Sequence, residues 1–231
     1  MEILSLIEQF QFNFLDDSRW QFIVSGLKNT IIITFFAVLL GVFLGFLIAI
    51  VRSTHDKTGK LKILNVICRV YLTVIRGTPT MIQLMITYYI IFASVNVSKI
   101  FVAVCAFGIN SGAYVAEIVR SGIMSIDQGQ FEAGRSLGFN YVQTMRLIIL
   151  PQAFKNVLPA LGNEMIVLLK ETSISGYVGT MDLTKGGDII RSTTYEAYLP
   201  LFGVAAIYLV IVMLMTAGVN RLERKLRTNE R

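Results

Sequence analysis

Residues 31–51 constrain this chain more than any other feature: in this run Thr34 is the sole polar side chain. At about 1.5 Å per residue, a helix of that length covers a hydrocarbon core of about 30 Å. A helix apolar on every side has no face to offer water, so it needs lipid or protein all around it. The rest of the chain agrees. Of its 231 residues 54% are hydrophobic and 16% charged, where a soluble domain carries about 25% charged residues. The chain therefore reads as all-α and polytopic, inside a membrane. The net charge of +6 does not signal nucleic acid, because the basic residues flank apolar runs. Cys68 and Cys105 lie in apolar segments and make no disulfide framework. His55 stands alone, and no metal-ligand cluster, paired catalytic carboxylates, GxSxG or P-loop occurs.

About five spans are expected: residues 31–51, beginning near Phe22; 63–95, interrupted by "RGTPT"; 100–118; 150–170; and 198–219. An odd number puts the termini on opposite sides. Arg52, Lys57, Lys60 and Lys62 follow the first span, Arg120, Arg135 and Arg146 follow the third, and Arg221, Arg224, Lys225, Arg227 and Arg231 fill the tail. Arg19, Lys99, Lys185 and Arg191 fall on the opposite face, among several acids. The positive-inside rule then makes the C-terminus and the long third loop cytoplasmic and the N-terminus external. No signal peptide is evident. Residues 1–21 put Ile3, Leu6, Ile7, Phe10 and Phe14 at helical spacing beside Trp20, the pattern of an outer interfacial amphipathic helix. Residues 22–220 form the membrane domain and 221–231 a basic tail. Residues 181–190 read as an outer loop plus a short helix.

Three spans carry polar residues at steps of three and four: Asn65, Arg69, Thr73, Arg76, Thr80, Gln83 and Thr87 in the second; Asn110, Tyr114, Glu117 and Ser121 in the third; Asn156, Asn163 and Lys170 in the fourth, beside Glu164 and Glu171. Lipid cannot solvate them, so these faces turn toward each other or a cavity. Holding helices together is one use of such groups, and suits Asn65, Thr73, Thr87 and Ser121. Glu117 and Arg120 read as interface anchors. Glu164 lies about two turns from the outer end of its span, and an acid at that depth marks a site for a cationic group or an internal ion pair with Lys170 or an arginine of the second span. In "RGTPT", Gly77 relaxes the backbone and Pro79 removes a donor, which opens the helix beside a cavity or another helix.

Residues 127–151 are too polar to span. Asp127 is placed to cap a first short helix, Gly138 to end it in a left-handed turn, and Asn140 with Gln143 to start a second that runs on toward Pro151. Phe131, Leu137 and Phe139 are expected on the surface, where a capped rigid element with exposed apolar residues suits docking into a partner's groove; packing of the loop under the chain's own helices is the alternative.

This segment resembles the EAA motif of the membrane subunits of type I ABC importers. Glu132, Ala133, Gly138, Ile148, Leu150 and Pro151 match the motif, and Gly134 replaces its third residue, a small-for-small departure. "IRGTPTMIQLMITYY", "NSGAYVAEIVRSGI", "LPALGNEMIVLLKETS" and "RLERKLR" are similar to the polar amino acid permease subfamily, over nearly the whole chain from about Gly26. The resemblance implies a permease subunit of a bacterial inner-membrane importer, with residues 127–151 as the coupling-helix loop. Glu132, Ala133, Gly134, Leu137, Gly138 and Phe139 would seat in an ATPase subunit. It implies a dimer of ATPase chains carrying ATP and Mg, no cofactor on this chain, a second permease copy or paralogue, an extracytoplasmic solute-binding protein, and alternating access. "LGNE" is similar to members carrying basic amino acids. Glu164 would then face the cationic group of arginine, lysine or histidine, Asn163 the amino acid backbone, with Asn110, Ser111, Thr78 and Gln83 lining the pocket. Glutamine, glutamate or cystine is the alternative cargo. An ATP-independent secondary transporter or channel is the alternative class, and leaves the EAA segment unexplained. A membrane enzyme lacks a nucleophile–base or metal constellation.

Overall fold

The computed structural model describes residues 5–228, most of them helical, with no strand among them. Ile3 and Arg231, invoked above for the amphipathic face and the basic tail, lie outside these residues. The helices are α1 (Leu6–Phe10), α2 (Trp20–Thr58), α3 (Lys62–Gly77), α4 (Thr80–Ile86), α5 (Lys99–Met124), α6 (Gln128–Ser136), α7 (Tyr141–Thr144), α8 (Leu150–Glu171), α9 (Leu183–Thr194) and α10 (Tyr198–Thr228). Among the described residues, α2, α5 and α10 are long and apolar enough to cross a membrane by length and composition. The expected second span is divided between α3 and α4, and the fourth is α8, with 22 residues.

α2 contains 39 residues, about 58 Å of helix, so it outruns any bilayer core. It continues past residue 51, and Arg52 and Lys57, placed after the first span above, are part of the same helix. No glycine or proline stops it until Gly59, whose φ of +69° ends the run.

The break in the second span has one cause. Thr78 is extended (φ −122°, ψ 147°), the conformation imposed on a residue that precedes proline. Its hydroxyl donates back to the Val74 carbonyl at 2.8 Å. Gly77 has no positive φ and open space around it. Pro79 therefore opens the chain, and the expected contribution of Gly77 is not needed. The polar stripe is not buried throughout: Asn65 and Thr87 are buried, whereas Arg69, Thr73 and Arg76 are exposed on the chain.

By its contacts the chain divides into two compact units. One comprises Met1–Ala37, Thr80–Phe107 and Ile166–Met215. Its core gathers Ile23, Leu183, Ile190 and Val204. The first half of α2 lies hard against the start of α9: a Cβ at Gly26 would stand 2.5 Å from the Asp182 carbonyl oxygen. Thr30 Oγ1 accepts from the Leu183 amide at 3.0 Å, and Asn29 Nδ2 donates to the Met181 carbonyl at 2.8 Å. Asp182 caps α9 by accepting from the Lys185 amide at 2.9 Å, and also takes the Ser175 hydroxyl at 2.8 Å. Residues 181–190 are thus a tied-down turn and helix. At the N-terminus, Ser5 and Glu8 form a capping box that starts α1, whose Ile7 is 80% exposed.

The second unit comprises Val38–Pro79, Gly108–Met165 and Thr216–Arg231. Ala49, Val115, Val119, Ile123, Phe131, Ile149, Ala153 and Val157 form its larger core, which joins α2, α5, α6 and α8. Leu72, Ala113 and Ala116 seat α3 on α5. The Tyr71 hydroxyl donates to the Ile109 carbonyl.

Candidate functional site

The polar segment between α5 and α8 is capped at every joint. Asp127 accepts from the Gly129 amide at 2.7 Å and starts α6. At the other end Gly138 has φ +79°, its amide donates to the Arg135 carbonyl at 2.9 Å, and the Phe139 amide donates to the Gly134 carbonyl at 3.0 Å. This pair of bonds is a Schellman motif, which satisfies carbonyls that a free helix end would leave open. Asn140 and Gln143 then exchange reciprocal bonds of 2.9 Å each and start α7. α7 runs through a π-helical turn, Met145–Ile149, into α8 without a break.

α6 has two faces. Phe131 is 8% exposed and belongs to the core, with Lys57 Nζ 4.5 Å above its ring. It is not the surface residue expected from sequence. Nearby apolar groups on α2, α5 and α8 offered it more burial than a surface position could, and apolar area drives such choices. Gly134 is buried as well, and a Cβ there would lie 2.6 Å from Thr144 Cγ2. Glycine at the third motif position thus matches a close approach of α6 to α7. Glu132, Ala133 and Gly138 face outward, Leu137 is 68% exposed, and Phe139 is half-buried. Val142 and Leu147 extend the exposed apolar patch.

A second cluster lies on α5 and α8. Ser111 Oγ donates to Glu164 Oε1 at 3.0 Å. Ser111 and Asn110 are buried, and Glu164 is partly open. No ion pair with Lys170 or an arginine forms at Glu164 among the described residues. Asn163, one position along, is exposed and lines a recess of about 440 Å³ with Lys155, Asn156, Pro159 and Glu223. Thr78 sits at the α3 break, in the same unit as Ser111 and Glu164, whereas Gln83 belongs to the other unit.

The ends of α2, α3 and α5 carry a charge network that the sequence displayed without its pairing. Arg52 bonds Glu117 at 2.5 Å. Arg120 holds Asp56 through two nitrogens, at 3.1 and 2.8 Å. Arg76 and Arg120 each reach Glu117 at 4.0 Å. Arg76 also stands 5.8 Å from the Tyr114 ring centroid. Spacing alone had made Glu117 and Arg120 single anchors. The i, i+3 relation of Tyr114 to Glu117 was legible, but the arginines from α2 and α3 were not.

Polar groups held inside apolar helices, and a rigid capped element that projects from them, define a polytopic membrane permease. The chain belongs to the family described as the inner membrane component of binding-protein-dependent transport systems, whose profile matches residues 37–228. It is similar to the "Putative glutamine transport system permease protein GlnP" of Rickettsia typhi, 39% identical over 212 residues, which is 90% of this chain and 94% of the relative. It is likewise similar to the "Arginine transport system permease protein ArtQ" of Bacillus subtilis, 36% identical over 211 residues, with the same coverages of 90% and 94%. A solved amino acid ABC transporter, described as "with histidines", superposes at a TM-score of 0.83 with 39% identity, covering 97% of this chain and 99% of that one. The inward-facing MetNI methionine transporter shares the fold at a TM-score of 0.77 and 21% identity, over 90% of this chain and 97% of that one.

Proposed function

We propose that this chain is the permease subunit of an ATP-driven importer of basic amino acids, with Glu164 as the acceptor for the cationic side chain of arginine, lysine or histidine. The observation that carries the reading is the Glu164 carboxylate, oriented by Ser111 at 3.0 Å and without a basic partner among the described residues. A carboxylate in a low-dielectric span is costly unless something cationic meets it. The cargo is that cation, and charge-assisted contact is the strong kind. Asn110 lies beside Ser111 as a further contact. Asn163 faces a separate recess and has less support as the backbone contact.

Drive comes from a separate ATPase dimer that holds ATP and Mg. Glu132, Ala133, Leu137 and Gly138 form the surface that seats in it, and Phe139 borders that surface. Gly134 serves it from beneath by letting α7 close on α6. A second permease copy or paralogue and an extracytoplasmic solute-binding protein complete the importer. The N-terminus is outside and the basic tail cytoplasmic, a reading supported by the arginine and lysine distribution.

A second cargo reading, glutamine or another neutral polar amino acid, is favoured by the relatives named for glutamine. One experiment separates the two. The complex with its ATPase and binding protein is reconstituted in lipid, and uptake of labelled arginine and glutamine is measured for the wild type and Glu164→Gln. Arginine uptake lost with glutamine uptake unaffected or absent supports basic cargo. Glutamine uptake that is equally sensitive makes Glu164 structural and overturns it.

A further inference from the structure

Resting on the reading of this chain as an amino acid permease, we propose that Arg76 is a substrate-binding residue and takes the α-carboxylate of the cargo. The charge network is the starting point. Among the described residues, two carboxylates, Asp56 and Glu117, face three guanidiniums, Arg52, Arg76 and Arg120. Arg52 takes Glu117 at 2.5 Å and Arg120 takes Asp56 at 2.8 Å. Arg76 is left with a 4.0 Å approach to Glu117, beyond hydrogen-bond range. Its side chain is 46% exposed. A guanidinium has five donors in a planar fork that matches a carboxylate, and here that fork has no bonded acceptor among the described residues. The network therefore carries one surplus positive charge, and it resides on Arg76.

The position suits an amino acid. Arg76 stands 5.8 Å from the Tyr114 ring centroid and 4.0 Å from the Glu117 carboxylate, both on α5. Ser111, which holds Glu164 at 3.0 Å, is on the same helix. Tyr114 lies one turn from Ser111, about 4.5 Å along the axis and about 60° around it, and Glu117 about 9 Å along. An extended arginine separates its carboxylate carbon from its guanidinium carbon by about 7 Å, within that interval. α5 thus contacts both groups: Ser111 holds the Glu164 carboxylate, and Tyr114 and Glu117 stand beside the Arg76 guanidinium one to two turns further along. Pro79 contributes as well: it ends α3 just beyond Arg76, so the 46% exposed side chain stands at a helix end.

The test uses the purified permease–ATPase complex in lipid discs without binding protein. Binding of labelled arginine and glutamine is measured, each in competition with its α-amide, which keeps the side chain and lacks the carboxylate. The wild type is expected to prefer the free acid by about tenfold or more, as a site built to bond a group rejects the analogue without it. Arg76→Gln should bring the acid down to the level of the amide, and Arg76→Lys should restore part of the preference. Arginine and glutamine run side by side keep the two readings apart. Arg76-dependent discrimination seen with glutamine alone overturns basic cargo and leaves this inference standing. An Arg76→Gln complex that elutes intact and still discriminates overturns the inference. So does equal loss of acid and amide, which would make Arg76 structural. A wild type that binds neither amino acid overturns both.

Discussion

Ser111 on α5 and Glu164 on α8 share one hydrogen bond of 3.0 Å, and it is the bond through which the acid is held. Replacing Ser111 with Ala leaves the partly buried carboxylate without its donor, at a cost of about 1–3 kcal/mol. Affinity for basic amino acids should fall by about fivefold or more while Ser111→Thr, which keeps the hydroxyl, stays near wild type. Direct binding to the purified complex reads this. Equal affinities in Ser111→Ala and wild type would mean that Glu164 is placed by packing alone.

Gly134 and Thr144 make a second pair, and it can be tested by stability. Gly134→Ala forces a Cβ to within 2.6 Å of Thr144 Cγ2, and overpacking of this kind costs about 1–3 kcal/mol. Thr144→Ala removes both side-chain atoms closest to that Cβ. The double variant should therefore melt above Gly134→Ala alone, and the non-additivity in a thermal scan is the measurement.

Gly138 has φ +79°, where a side chain costs about 1–2 kcal/mol. Gly138→Ala should lower the melting temperature, and Gly138→Asn, a residue that tolerates this region, should lower it less. Reversal of that order would show that the turn adjusts.

Leu137 is 68% exposed, so Leu137→Asp should leave the stability of the isolated permease within about 0.5 kcal/mol of wild type. If the patch seats in an ATPase subunit, co-purification should fall by about tenfold or more, the scale of a lost apolar anchor. Intact co-purification would remove Leu137 from that surface.

On α9, Arg191 and Lys185 bond the Asp188 carboxylate and hold its pKa below its ordinary 3.8. A depressed acid stabilises at pH above its unfolded value and loses that contribution as pH falls through its folded value. Amide protection in α9 should therefore lose the Asp188 contribution as the pH falls below about 4. Asp188→Asn should remove that decline.

The features that were legible in the sequence are those decided within a few residues. Asp127, Gly138 and the Asn140–Gln143 pair announce their caps by letter and spacing, and the structure forms each one. Pro79 likewise dictates the conformation of its neighbour. Phe131 was misread because an apolar residue on an amphipathic helix has two outcomes, and which one wins depends on Val119, Ile123 and Ile149, distant in sequence. Gly134 was legible as small but not as the seat of Thr144. The arginine network was invisible for the same reason: its members come from three helices, and charge alone does not say which carboxylate each guanidinium takes.

The Schellman turn and the capping box meet at Phe139 and Asn140, so no slack residue lies between α6 and α7, and none lies between α7 and α8. The segment is therefore a stiff crank rather than a hinge. A displacement applied at Leu137 would then be handed on through α7 to the foot of α8, the helix that carries Glu164.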